Sequence, residues 1–132
     1  MKYLLDTCVF LWFVSGDSEK ISRKMLGELG KPENSLYLSV ASVWEIGTLY
    51  QINRLRFLLP EPPEKCLETW LSRTSIKLLP IEFRHAIYSP QLPFHHKDPW
   101  DRMIISQAIC DDFKVVTPDG EFKKYPVKTL WL

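Results

Sequence analysis

Apolar residues recur along this chain in two kinds of run, short unbroken blocks and longer stretches spaced three or four apart. Tyr3, Leu4 and Leu5 form a block that ends at Asp6, as a buried strand does. Residues 7–14 are apolar enough for a buried helix, although the pattern alone also accommodates a longer strand. In residues 18–29, Ile21, Met25, Leu26 and Leu29 keep a helical spacing, and Gly30 follows as a stop. After a loop over 32–35 comes a second apolar block, 36–40. Ser42 then opens a helix: Ser42-Val43-Trp44-Glu45 fits a capping box, and Val43, Ile46, Leu49 and Tyr50 continue the period.

Pro60, Pro62 and Pro63 interrupt the chain, and the latter two can begin the helix carrying Leu67, Trp70 and Leu71. A third strand is expected over 76–81, made ragged by Pro80, and a short helix over 83–88. Beyond a loop rich in Pro and His, Asp98-Pro99 starts a helix with Trp100, Met103, Ile104 and Ala108 on one face. Strands follow over 114–117 and 129–132. Strands alternating with helices predict an α/β fold, a short and mostly parallel central sheet flanked by helices in three layers.

A length of 132 residues suits one domain, expected to span 1–132. With 45% hydrophobic and 25% charged residues the chain falls in the globular range rather than the disordered one. No apolar stretch approaches the ~18 residues of a membrane span, and no membrane partner is expected. Residues 1–13 resemble a signal peptide only superficially, because Asp6 interrupts them and only Lys2 precedes the apolar run. Cys8, Cys66 and Cys110 lack metal-ligand spacing and read as small hydrophobes of a reducing cytoplasm. A net charge of +1, taken alone, argues against a dedicated nucleic-acid binder.

The placement of the acids changes that picture. Asp6 ends the first strand, Glu45 lies in the first turn after the second, Asp98 and Asp101 open a later helix, and Asp119 follows the fourth strand. In a parallel sheet these carboxyl-end positions share one edge, where α/β proteins build their sites. Each has an ordinary structural reading: Glu45 in a capping box, Asp98 as a helix cap, Asp119 in a Thr117-Pro118-Asp119-Gly120 turn, Asp6 capping the helix that begins at Thr7. Together the ordinary readings weaken, because like charges gathered beside a core are costly without a cation. Hard carboxylate oxygens without Cys or His suit Mg²⁺ or Mn²⁺ and the phosphodiester chemistry those ions support.

The segments Leu4-Leu5-Asp6-Thr7, Ser39-Val40-Ala41-Ser42-Val43-Trp44-Glu45-Ile46, His95-His96-Lys97-Asp98-Pro99-Trp100-Asp101-Arg102 and Val116-Thr117-Pro118-Asp119 resemble the PIN domain. More narrowly, they resemble the VapC-type ribonuclease toxins of bacterial type II toxin–antitoxin systems. The resemblance runs over essentially the whole chain, in motif order. It implies a cytoplasmic endoribonuclease dependent on one or two Mg²⁺ or Mn²⁺ ions, inhibited by a cognate antitoxin and often homodimeric. It implies Asp6, Glu45, Asp101 and Asp119 as the catalytic and metal-binding acids, with Ser42, Asp98 and Thr117 in support. Asp6 and Asp101 would be the principal ligands, Glu45 would complete the cup or orient water, and Asp119 would hold a second ion or a water. Two positions depart from the pattern. Pro118 stands where an arginine is common, and Leu49 where a lysine is common, leaving Arg54 or Arg56 to contact RNA.

Other residues receive plainer readings. His95 and His96 form a loop pair ahead of Asp98 rather than a general base, since carboxylates and metal suffice for the chemistry. Trp44 and Trp100 are assigned to the core rather than to base stacking. Trp12 is a candidate for an antitoxin groove or a dimer contact, and Lys20, Arg23 and Lys24 for a solvated helix face. A non-catalytic PIN-like module that binds RNA or protein is the alternative. A phospho-accepting signalling domain is disfavoured, because the third strand ends in Glu82 and not in an aspartate. Setting aside the four acids leaves seventeen positive charges against twelve negative. The near-neutral total thus hides an acidic pit in a basic frame, compatible with RNA.

Overall fold

The computed structural model describes residues 1–17 and 19–132. They build a five-stranded sheet from β1 (Lys2–Leu5), β2 (Ser35–Ser39), β3 (Lys77–Leu79), β4 (Lys114–Val116) and β5 (Lys128–Leu130), in the order β3-β2-β1-β4-β5. Every pairing is parallel: Leu5 stands opposite Leu38 on one side and Val116 on the other. All strands therefore end at one edge. The helices are α1 (Thr7–Ser15), α2 (Arg23–Leu29), α3 (Val40–Gln51), α4 (Pro63–Arg73), α5 (Phe83–Tyr88) and α6 (Pro99–Asp111).

The period of two along the strands divides the core between the two faces. Tyr3, Leu5, Leu36, Leu38 and Val116 pack with Val9, Phe10, Met25, Ile46 and Leu67 from helices α1 to α4. Leu4 and Val115 point the other way, against Ile104, Ile105 and Ala108 of α6, with Phe122 and Tyr125. Both faces are covered, which is why the strands read as unbroken apolar blocks instead of alternating ones. The expected α/β class and its three layers are observed.

Several boundaries differ from expectation, each for a local reason. The second helix begins at Arg23, not near 18, because the Ser22 hydroxyl accepts from the Met25 amide at 3.0 Å. Ile21, just before that cap, is buried in the same cluster that Leu26 packs against, as in a hydrophobic staple. Ser18 itself lies outside the described residues. The helix expected from Ser42 starts at Val40, because Ser39 takes the cap by accepting from the Ala41 amide at 2.9 Å. Ser42 and Glu45 consequently form no capping box. The third strand is cut to three residues ahead of Pro80, which has no amide to extend the ladder. Asp112 ends α6 in the left-handed conformation, with φ 57°, and turns the chain into β4.

The loop between α5 and α6 is held by one buried cation. The Arg102 guanidinium donates to the carbonyls of Ser89 and Leu92 at 2.9 Å each and of Pro93 at 2.8 Å, and stacks on Phe94 with 4.2 Å to the ring centroid. It is satisfied by carbonyls, so its planar fork, and not just its charge, fixes the loop. Arg102→Leu and Arg102→Lys are both expected to destabilise the fold, the former by about 3 kcal/mol. Urea denaturation followed by circular dichroism checks this, and a Lys variant as stable as the parent would contradict it.

Candidate active site

The strand order reverses direction between β1 and β4, and at such a switch point the loops leaving the two strands part to open a crevice. Asp6 leaves β1 there, its amide still donating to the Val116 carbonyl at 3.0 Å. Thr117 leaves β4 beside it and donates its hydroxyl to Asp6 Oδ2 at 2.7 Å. The same Thr117 oxygen accepts the Asp119 amide at 3.0 Å. The fourth motif is thereby tied to the first.

Thr7 performs the same service for Glu45. Its Oγ1 lies 2.7 Å from Glu45 Oε1 and 2.8 Å from Ser42 Oγ. A hydroxyl has one proton to give, so Thr7 donates to the carboxylate and receives the proton of buried Ser42. Thr7 was not singled out from the sequence; its position one residue after Asp6, at the start of a helix, was the available signal. Ser42 is buried beneath the site and touches no carboxylate directly.

Asp98 and Asp119 divide their oxygens between structure and site. Asp98 Oδ1 caps α6, accepting from the Trp100 amide at 2.9 Å and the Asp101 amide at 3.2 Å. Asp119 Oδ1 caps a short 3-10 turn (Gly120–Lys124) by accepting from Glu121 at 2.9 Å. That turn is a feature the sequence pattern did not reveal. The other oxygen of Asp119, Oδ2, lies 3.8 Å from His96 Nε2, and Asp101 Oδ2 lies 2.9 Å from the same nitrogen. One donor atom from each of His96, Asp101 and Asp119 falls within 4.8 Å of the others. His96, read from the sequence as a plain loop residue, thus reaches the acids, while His95 is exposed and packs edge-on against Tyr125.

Burial and mutual repulsion act on the same carboxyls. Burial raises Asp6 above the usual carboxylate range, offset in part by the Thr117 hydrogen bond, with Asp119 and Asp98 adding to the rise. Glu45 is pushed up to about 7, chiefly by burial, with Asp98 and Asp6 contributing. Asp101 is pushed up to about 9 by burial and then by Asp6, Asp98, Glu45 and Asp119. Neither lysine nor arginine is paired with any of them among the described residues. A divalent cation fits this set: the available atoms are hard carboxylate oxygens, and the site lacks positive charge.

Two assignments are corrected. Trp44 is not core; it is 60% exposed and meets the partly buried Trp100 edge-on, with ring centroids 5.9 Å apart. Its neighbour on the inner helix face, Ile46, takes the buried position instead. Of the three cysteines, all free, only Cys66 is buried, and Cys8 and Cys110 are exposed. The Cys8 thiol is pushed up to about 11 by desolvation and by the adjoining Asp6, Glu45, Asp101 and Asp119 carboxylates, so it stays protonated at neutral pH.

A cavity of about 260 Å³ adjoins the acids, entered past Thr7 and Glu45 and walled by Leu11, Trp12, Leu49 and Phe57. Arg54 and Arg56 also line it, brought back over α3 by Asn53 at φ 56° and by Arg54 donating its amide to the Leu49 carbonyl at 2.8 Å.

Similar folds occur in solved toxin–antitoxin structures. A chain of VapBC2 from Rickettsia felis, bound to a DNA fragment from their promoter, superposes with a TM-score of 0.73 at 20% identity, covering 100% of both chains. DNA-bound VapBC from Salmonella typhimurium gives 0.67 at 21% identity, covering 98% of this chain and 97% of that one. VapBC-5 from Mycobacterium tuberculosis gives 0.59 at 20%, covering 99% and 98%. No match is found among curated proteins. The family comparison reaches the same fold by sequence: residues 3–128 match the PIN domain, and with nearly the whole length inside that match the chain belongs to the PIN-domain family.

Proposed function

We propose that this protein is a VapC-type toxin, a Mg²⁺- or Mn²⁺-dependent endoribonuclease of the cytoplasm held inactive by a cognate antitoxin. The observation that carries this reading is the set of buried, mutually repelling carboxyls at the β1/β4 switch point, with Glu45 near 7 and Asp101 near 9. Membership of the PIN family and the VapBC folds point the same way. Among the described residues no helix is long and apolar enough to cross a membrane.

In this reading Asp6 and Asp101 supply the principal metal oxygens, and Glu45 and Asp119 complete the set. A bound divalent ion would neutralise charge on the scissile phosphate and lower the pKa of a water. Thr117 holds Asp6 and Thr7 holds Glu45, so each acid is aimed before substrate arrives. Glu45, at about 7, is matched to receive a proton from the attacking water at neutral pH. Arg54 and Arg56, beside the pit, are suited to the RNA backbone, taking the place of the lysine that Leu49 replaces.

The apolar cavity behind Thr7 and Glu45 has the character of a groove for an antitoxin segment, with Trp12 in its wall. A different face suits a second copy of the chain. Val40 and Trp44 on α3, Phe83 and Ile87 on α5, and Phe94 in the following loop are exposed hydrophobics.

Three outcomes follow from this assignment. Asp6→Asn and Asp101→Asn should each lower Mn²⁺-dependent cleavage of single-stranded RNA by at least about a hundredfold; parent-like rates in either variant would contradict the assignment. Carboxyls with raised native pKa bind more protons folded than unfolded, so they cost stability as pH rises from the ordinary carboxylate range towards 9. Metal-free protein should therefore melt lower at pH 8 than at pH 6, and Asp101→Asn should raise the pH 8 melting temperature by about 3–6 °C. Mn²⁺ should raise the parent's melting temperature and leave that of Asp101→Asn nearly unchanged. Finally, Trp44→Glu combined with Ile87→Glu should convert a dimer to a monomer in light scattering; an unaltered dimer would place the interface elsewhere.

A further inference from the structure

We propose that His96 is a positioning residue for the acidic site, fixed in one tautomer so that its Nε2–H holds Asp101 and Asp119 in place for a divalent cation. The inference rests on reading the acids as a cation site, and extends it to a group outside the carboxylate set.

Each atom of the residue is engaged. The His96 amide donates to the Tyr125 hydroxyl at 2.8 Å, and Nδ1 accepts the Asp98 amide at 3.1 Å. The ring stands edge-on to Phe122, with centroids 6.3 Å apart, and the side chain is only 16% exposed. A nitrogen that accepts a backbone N–H carries no proton of its own. The hydrogen of the neutral ring therefore resides on Nε2, which faces Asp101 Oδ2 at 2.9 Å and Asp119 Oδ2 at 3.8 Å.

That assignment excludes two other roles for the ring. A metal ligand needs a free lone pair on Nε2, and moving the proton to Nδ1 would set it against the Asp98 N–H. A general base needs the same lone pair. What remains is a donor aimed at two carboxylates that would otherwise repel. It occupies Oδ2 of Asp101 and leaves Oδ1 for a cation, the arrangement by which ligating carboxylates are oriented by neighbouring donors. The Asp98 cap acquires a second task here: its side chain starts α6, and its amide sets the tautomer of His96.

The test is Mn²⁺ affinity by calorimetry with pulsed EPR of the bound ion, on the parent, His96→Ala and His96→Gln. The Gln amide places an N–H near the position of Nε2, whereas the Asn amide is too short to reach Asp101. His96→Ala should weaken Mn²⁺ binding about 10–100-fold, and His96→Gln should recover most of the loss. The EPR spectrum of the parent should show no directly coordinated imidazole nitrogen. If the Ala protein does not fold, as judged by circular dichroism, His96→Asn takes its place as the donorless variant. Parent-like affinity in the donorless protein, no recovery with Gln, or a coordinated imidazole would each overturn the positioning role alone. A parent that binds no Mn²⁺ would overturn it together with the cation site itself.

Discussion

Carboxyl groups of like charge do not gather in a partly dry crevice unless the fold holds them there. Here the parallel sheet does so, because every strand ends at the same edge and β1 and β4 open the crevice between them. Asp6 and Asp119 arrive on the two strands that form the switch point, and Glu45 and Asp101 on helices that start at the same edge. The strain is visible in the protonation of the site: burial and neighbouring charge lift Glu45 to about 7 and Asp101 to about 9. Much of the surrounding hydrogen bonding, from Thr7, Thr117 and His96, supplies donors to those oxygens.

The strand-end acids were legible in the sequence because their positions follow from strand boundaries alone. An apolar block ending in Asp6 and another ending before Thr117-Pro118-Asp119 suffice once the sheet is parallel. The helix after β2 was also legible, but its cap was not. Ser39 and Ser42 both match a cap, and only pairing with β1 and β3 shows that Ser39 is the residue that leaves the sheet. The third helix likewise offered two apolar stripes. Ile46 faces the core and Trp44 the surface, a choice set by the placement of α6 and invisible in the spacing.

His96 was the least readable member of the site. Nothing in a Pro- and His-rich loop says that Nδ1 will meet the Asp98 amide, because that contact needs the turn built by α6 and its cap. The loop is ordered from elsewhere. Arg102 draws the carbonyls of Ser89, Leu92 and Pro93 together, and Tyr125 holds the His96 backbone from across the fold. The sequence carries the acids as a pattern and their orientation only as tertiary structure. The +1 net charge shows the same division, a cluster of acids at one edge and the basic residues distributed over the rest.

The most direct measurement of the central claim is the number of protons released when Mn²⁺ binds, obtained by calorimetry at pH 7 in buffers of different ionisation enthalpy. Metal-free Asp101 is protonated at that pH and Glu45 about half so. Binding should therefore release roughly one to two protons per site, and Asp101→Asn should abolish most of the release. A binding heat independent of buffer would show that the carboxyls were already ionised, and would contradict the account of a charge-strained pit awaiting a cation.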